Sequence, residues 1–280
     1  MTSSGLTETA TKSWSGSQKR TASRVAIFFG ATALTLLYIP ILWLAIMSVS
    51  ERPLSGVPWP LSTKWYDELA GETGKWLEPL ELSLLIAAIV ACGCMIMATI
   101  VGRVLPRLRW RGRLLIVFLI PIFVPGVVAS GAMFMFYKAL MGIKMGVWSL
   151  ILGHLTWALP FTILAMLVVT TRFDYRLLEA ARDLGASKWE RFLQIELPLL
   201  KPGIVSSGFF GFLLSFNELP RSIFLRSGQQ TLPIYLWAES ASHVSSIPLI
   251  YALSTIVAVI SIFLTVTALW LLFFGGRNPI

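Results

Sequence analysis

A chain of 280 residues that is 56% hydrophobic and only 13% charged, with a mean hydropathy of +0.75, is far from a soluble domain, in which about a quarter of residues carry charge. The net charge of +9 is not gathered into a basic domain, which argues against nucleic-acid binding. The two cysteines, Cys92 and Cys94, fall in one apolar block and have neither the number nor the setting of a metal site, so they read as small buried residues.

The first 24 residues are polar and place Lys12, Lys19, Arg20 and Arg24 before the first apolar block, as a cytoplasmic tail would. That block is too long for the apolar core of a cleaved signal peptide. A bilayer core about 30 Å thick needs about 20 apolar residues in helix. Val25 to Ser48, Leu82 to Gly102, Leu114 to Tyr137, Met145 to Thr171 and Leu249 to Phe274 reach that length without Asp, Glu, Lys or Arg. A further block, Pro202 to Leu225, is apolar as far as Asn217 and then carries Glu218 and Arg221. Barrel strands would alternate apolar and polar residues, and these runs do not. The expectation is an all-α polytopic membrane protein with six transmembrane helices, occupying residues 25–275 after the tail at 1–24. Pro40, Pro121, Pro125, Pro160 and Pro220 lie inside these spans and should bend them.

Between the first two spans, residues 51–81 hold six acidic and three basic side chains. Ser62 or Thr63 could cap a short helix there, laying Trp65, Tyr66 and Leu69 against the membrane interface. Residues 172–201, before the fifth span, are too polar to cross a bilayer and too regular for a linker. Leu177, Leu178, Ala181 and Leu184 recur at helical spacing, Gly185 offers a left-handed turn, and Ser187 with Glu190 forms a capping box for a second helix. Pro198 should stop that helix and Pro202 begin the next span. With apolar and charged faces, the pair suits either docking to a partner or lying on the bilayer.

Sixteen of the 23 basic residues fall on one side of a six-span arrangement and seven on the other, which places both termini in the cytoplasm. Glu218 is the only acid inside a predicted span. Arg221, three residues on, shares its helical face, so the two can pair, or Asn217 and Glu218 can line a path for solute. His154, inside a span, reads as a packing or hydrogen-bonding residue, and His243 stands alone in an outer loop. No Gly-x-x-x-x-Gly-Lys-[Ser/Thr] run occurs, so any ATP is expected to be hydrolysed by another polypeptide.

Glu179-Ala180-Ala181, three residues, Gly185, nine residues, Ile195, one residue and Leu197-Pro198 reproduce the loop motif of the permease subunits of bacterial ATP-binding-cassette importers, which this chain resembles. The resemblance implies a type I importer permease in the bacterial inner membrane. It implies a second permease, most simply in a heterodimer, two ATPase subunits that bind ATP and Mg, and a periplasmic solute-binding protein. It assigns Ala180, Ala181 and Leu184 to a buried contact with the ATPase, Gly185 to the turn and Glu179 to a polar contact or cap. No cofactor is expected on this chain, which would not itself be an enzyme.

Leu213-Leu214-Ser215-Phe216-Asn217-Glu218, then Thr231-Leu232-Pro233 and Ile247-Pro248, are similar to the second permease of spermidine and putrescine importers and its relatives. Those systems usually have an acidic pair after Ser-Phe, where this chain has Asn217-Glu218 with Arg221 nearby. The solute is therefore expected to be small and organic, either polyamine-like or an opine, phosphonate or other non-cationic compound. Asn217, Glu218 and Arg221 are the candidates for the translocation path. An ion-coupled carrier would leave the Glu179 motif without a role, and an intramembrane enzyme would need paired polar residues inside spans, which are missing except at Glu218 and Arg221.

Overall fold

The computed structural model describes residues 16–71, 73–242 and 244–274, and these are helical almost throughout, with one isolated bridge between Ser50 and Leu61. Residues 1–15 of the expected tail, His243 and the end from 275, with Arg277, lie outside the described residues. Five helices are long and apolar enough to cross a membrane, or six if one bent pair counts as a single span. The chain divides after Thr63 into two compact units.

The first unit is α1 (Gly16–Ser48) and a short cap. The helix starts inside the polar tail, through Lys19 and Arg20, because nothing between them and Val25 breaks it. A 3₁₀ turn at Pro53–Ser55 follows, and the chain folds back so that Glu51 N–H donates to Pro60 O at 2.9 Å and Ser62 N–H to Val49 O at 2.8 Å.

The second unit begins with α2 (Lys64–Gly71), α3 (Thr73–Val104), α4 (Arg111–Phe123) and α5 (Gly126–Phe134), the last extended by a π turn at Met135–Leu140. Next come α6 (Val147–Thr170), α7 (Arg176–Asp183), α8 (Lys188–Arg191), a π turn at Phe192–Glu196 and α9 (Leu197–Phe216). It ends with α10 (Pro220–Leu225), α11 (Leu232–Ser242) and α12 (Ile247–Phe274). α3, α6 and α9 pack on one another most extensively and form its centre. Small residues let these helices approach, as is usual in membranes. A Cβ on Gly211 of α9 would lie 2.9 Å from Cys94 Cβ and 3.2 Å from Ala91 Cα, both on α3. Cys94 is thus buried as expected, whereas Cys92, two residues away and so on another face, is exposed.

Two expectations are corrected, and two expected bends prove to be full breaks. Leu69 of α2 is buried with Ala87, Phe216, Leu232, Ala252 and Leu253, with Trp65 and Tyr66 packed against them, so this aromatic face turns toward α12 and its neighbours and not to the membrane interface. The third span is broken, with α4 and the segment from Gly126 meeting at 94°. Val124, which precedes Pro125, is extended at φ −86° and ψ 122°, as the proline ring disfavours helix in the residue before it. The fifth span stops at Phe216, and α10 restarts at Pro220, whose missing N–H is no loss at a helix start. Finally, Pro198 does not stop the second loop helix, which runs unbroken from Lys188 to Phe216. The π turn before it shifts the hydrogen-bond register, Leu197 N–H reaching back to Phe192 O, and so absorbs the donor that the proline lacks.

Candidate coupling and translocation sites

α7 ends in a Schellman turn. Gly185 has φ +87°, its N–H donates to Arg182 O at 2.9 Å, and Ala186 N–H donates to Ala181 O at 2.9 Å. α8 then starts from the expected capping box, in which Ser187 N–H donates to Glu190 Oε2 at 2.7 Å and Glu190 N–H to Ser187 Oγ at 3.2 Å. The result is a compact knuckle. Glu179, Ala180 and Gly185 are exposed, Ala181 is half-buried, and Leu184 stands 89% exposed at its tip. A leucine so placed, just before Gly185 and Ala186, is a ready insert for a complementary cleft.

The knuckle is tied to the end of α3. Arg103 donates from Nε and Nη2 to the two carboxylate oxygens of Glu196, at 2.8 and 2.6 Å, and its guanidinium lies 4.4 Å from the centre of the Phe192 ring. Arg107 lies over Tyr175 at 4.9 Å, and Arg191 Nη1 donates to Leu178 O at 3.3 Å. Sequence reading used Arg103 only as a topology charge and passed over Glu196. The signal available was an acid set between the apolar motif positions Ile195 and Leu197.

The second site is the break in the fifth span. Asn217 is exposed, its amide turned back to Leu213 O at 2.9 Å. Glu218 and Arg221 are 5% and 2% exposed, and Nη1 of the arginine donates to Glu218 Oε1 at 2.9 Å. The same carboxylate oxygen accepts the Arg221 backbone N–H at 3.1 Å, and the Trp157 ring lies 4.7 Å from the guanidinium. The local pair is therefore formed, with Asn217 turned away from it.

His154 holds the restart of the helix, with Nδ1 2.8 Å from Ser215 Oγ and Nε2 2.9 Å from Ser222 Oγ. Ser222 spends its single proton on Glu218 O at 2.7 Å, so it accepts from Nε2–H, and Nδ1 accepts from Ser215. Ser149 Oγ donates to Leu225 O at 2.7 Å, and Ser130 Oγ lies 3.3 Å from Pro220 O. α5 and α10, the short pieces beyond the two breaks, pack together. These serines escaped sequence reading because no local pattern separates them from other serines in apolar helix.

A knuckle with this motif, placed before a broken fifth span, coincides with a family match over residues 94–274, to the binding-protein-dependent transport system inner membrane component family. The chain belongs to that family. It is thus a multi-pass inner-membrane permease of the ATP-binding-cassette importer class. It is 30% identical over 236 residues to the spermidine/putrescine transport system permease protein PotC of Escherichia coli strain K12, covering 83% of this chain and 88% of that one. It is 32% identical over 232 residues to the putrescine transport system permease protein PotI of the same strain, covering 80% and 82%. A solved chain of a bacterial ABC transporter that imports the acidic polysaccharide alginate superposes with a TM-score of 0.66 at 17% identity, covering 91% of this permease and 98% of that chain. A chain of a bacterial alginate ABC transporter in complex with alginate pentasaccharide-bound periplasmic protein gives 0.69 at 14% identity, covering 94% and 98%. At such identities the likeness is one of fold.

Proposed function

We propose that this permease pairs with a second permease, most simply as a heterodimer, to form the pathway for a small, polyamine-like organic solute. A periplasmic binding protein would deliver the solute, and two ATPase subunits, carrying the ATP and Mg, would drive transport from the cytoplasmic side, where both termini lie. The observation that carries this reading is the exposed turn at Glu179, Ala180, Ala181, Leu184 and Gly185, which is anchored to α3 through Glu196. A nucleotide-driven movement felt at Leu184 would pass through that anchor into the central helices.

The names of the relatives support a cationic solute. So does a cavity of about 650 Å³ at the other end of α3, where Glu78, Glu81, Gln229 and Gln230 offer carboxylates and amides beside a single cation, Lys75. Some 22 residues of helix put it about 33 Å from Arg103. The break at Asn217 is the candidate path. There Asn217 faces the solute, while Arg221 neutralises Glu218 and holds the backbone open.

The test is ATP-dependent uptake by vesicles containing the permease with its second permease, ATPase and binding protein, offered labelled putrescine, spermidine or an alginate oligosaccharide. Uptake of either polyamine supports the assignment, and uptake of the oligosaccharide alone overturns it.

A further inference from the structure

The anchor between α3 and the knuckle encloses more positive charge than it uses. A cavity of about 250 Å³ is lined by Arg103, Arg107, Lys188 and Arg191, with Leu178 and a single acid, Glu196. Both oxygens of that acid are held by Arg103, and Arg107 Nη2 lies 3.8 Å from Oε1, beyond hydrogen-bonding reach. Arg191 Nε is shut off from solvent and has no hydrogen-bond partner. A second cavity of about 370 Å³ shares Arg107 and Arg191 and adds Arg182 and Glu179, which leaves the cationic excess in place.

On its other side the site turns apolar. A groove of about 260 Å³ shares Arg103 and Arg107 and is otherwise lined by Ile100, Val104 and Leu108, exposed by 56%, 48% and 39%. These residues are the last turns of the spanning helix α3 and the chain just after it, and the end of a spanning helix is where headgroups are met. Arginine forks suit phosphate oxygens, and basic pockets at membrane-helix ends suit anionic headgroups. A free phosphate would use the cations and leave the apolar groove empty, whereas a lipid fills both.

We infer that this joint binds an anionic phospholipid, its phosphate held by Arg107, Lys188 and Arg191 and an acyl chain lying along Ile100, Val104 and Leu108. The lipid would bridge α3 and α8 and stiffen the link that the coupling loop depends on. The inference rests on the reading of the chain as a membrane permease. It does not rest on coupling to an ATPase, because lipid retention is measured without nucleotide.

The full-length permease, purified in detergent, is titrated with dioleoylphosphatidylglycerol or dioleoylphosphatidylcholine, and bound lipid is counted by native mass spectrometry. The wild-type chain should retain the anionic lipid at least ten-fold better than the zwitterionic one. Arg107→Gln combined with Lys188→Gln should remove that preference, and Arg107→Lys should keep most of it, which separates lost charge from lost fold. Addition of inorganic phosphate at millimolar concentration should displace nothing. Equal retention of the two lipids, an unchanged preference in the double variant, or displacement by phosphate would each overturn the proposal.

Discussion

Arg103 near the end of α3 grips both carboxylate oxygens of Glu196, 93 positions later, so a spanning helix of the central bundle and the motif-bearing loop are tied directly together. The Glu196 side chain is 6% exposed and that of Arg103 36%, so the pair is shielded on one side and screened on the other.

Glu196→Arg should strand Arg103 beside a like charge. Removing one partner of a buried pair costs about 3 to 5 kcal/mol, and the half-open arginine places this case nearer 2. Folded yield should fall with either Glu196→Arg or Arg103→Glu and return when the two are combined. Thermal stability of the detergent-solubilised chain measures it. Failure of the swap to rescue would show that the pair does not join these elements.

Glu218→Gln should leave the buried Arg221 uncompensated, at a cost of about 3 kcal/mol, and lower the amount of protein in the membrane. Combining it with Arg221→Met should recover much of that loss, since no buried cation is then left without its counter-charge. Abundance and uptake are measured together. Full abundance with lost uptake for Glu218→Gln would instead assign the carboxylate to the solute.

Gly211→Val would drive two methyl groups into Cys94 and the α3 backbone at Ala91. Overpacking of this kind typically costs about 1 to 3 kcal/mol. Gly112→Val meets open space and should be milder. A melting comparison of the two variants checks this, and equal losses would contradict the close crossing of α3 and α9.

What was legible in the sequence was local or compositional. The capping box of Ser187 and Glu190 and the turn at Gly185 depend on neighbours within a few residues, and both formed as read. The long apolar blocks marked the spanning helices because lipid leaves the backbone few alternatives. Bends at Pro125 and Pro220 were legible from the prolines, but not which prolines would break a span outright. Pro121 stays inside α4 while Pro125 marks a 94° bend, beyond which α5 packs on α10, a contact that no window of sequence contains. Nor could local pattern pair Arg103 with Glu196, or gather Ser149, His154 and Ser222 around one short helix.

The division of basic residues predicts that a reporter inserted near Arg109 reads as cytoplasmic and one near Gly71 as periplasmic. Paired phosphatase and fluorescent-protein fusions give the answer. A periplasmic signal near Arg109 would invert the permease and move the knuckle away from any cytoplasmic ATPase.

The central claim is that the turn from Glu179 to Gly185 carries ATP-driven movement into the bundle. Gly185→Val forces a branched side chain into a left-handed conformation, and Ala181→Asp sets a carboxylate into a docking surface of small residues, at a desolvation cost of a few kcal/mol. The measurement is ATP-dependent solute uptake by vesicles holding the complete transporter, normalised to permease in the membrane. Both variants should remain in the membrane and lose uptake by at least ten-fold, and full uptake by both would contradict the account.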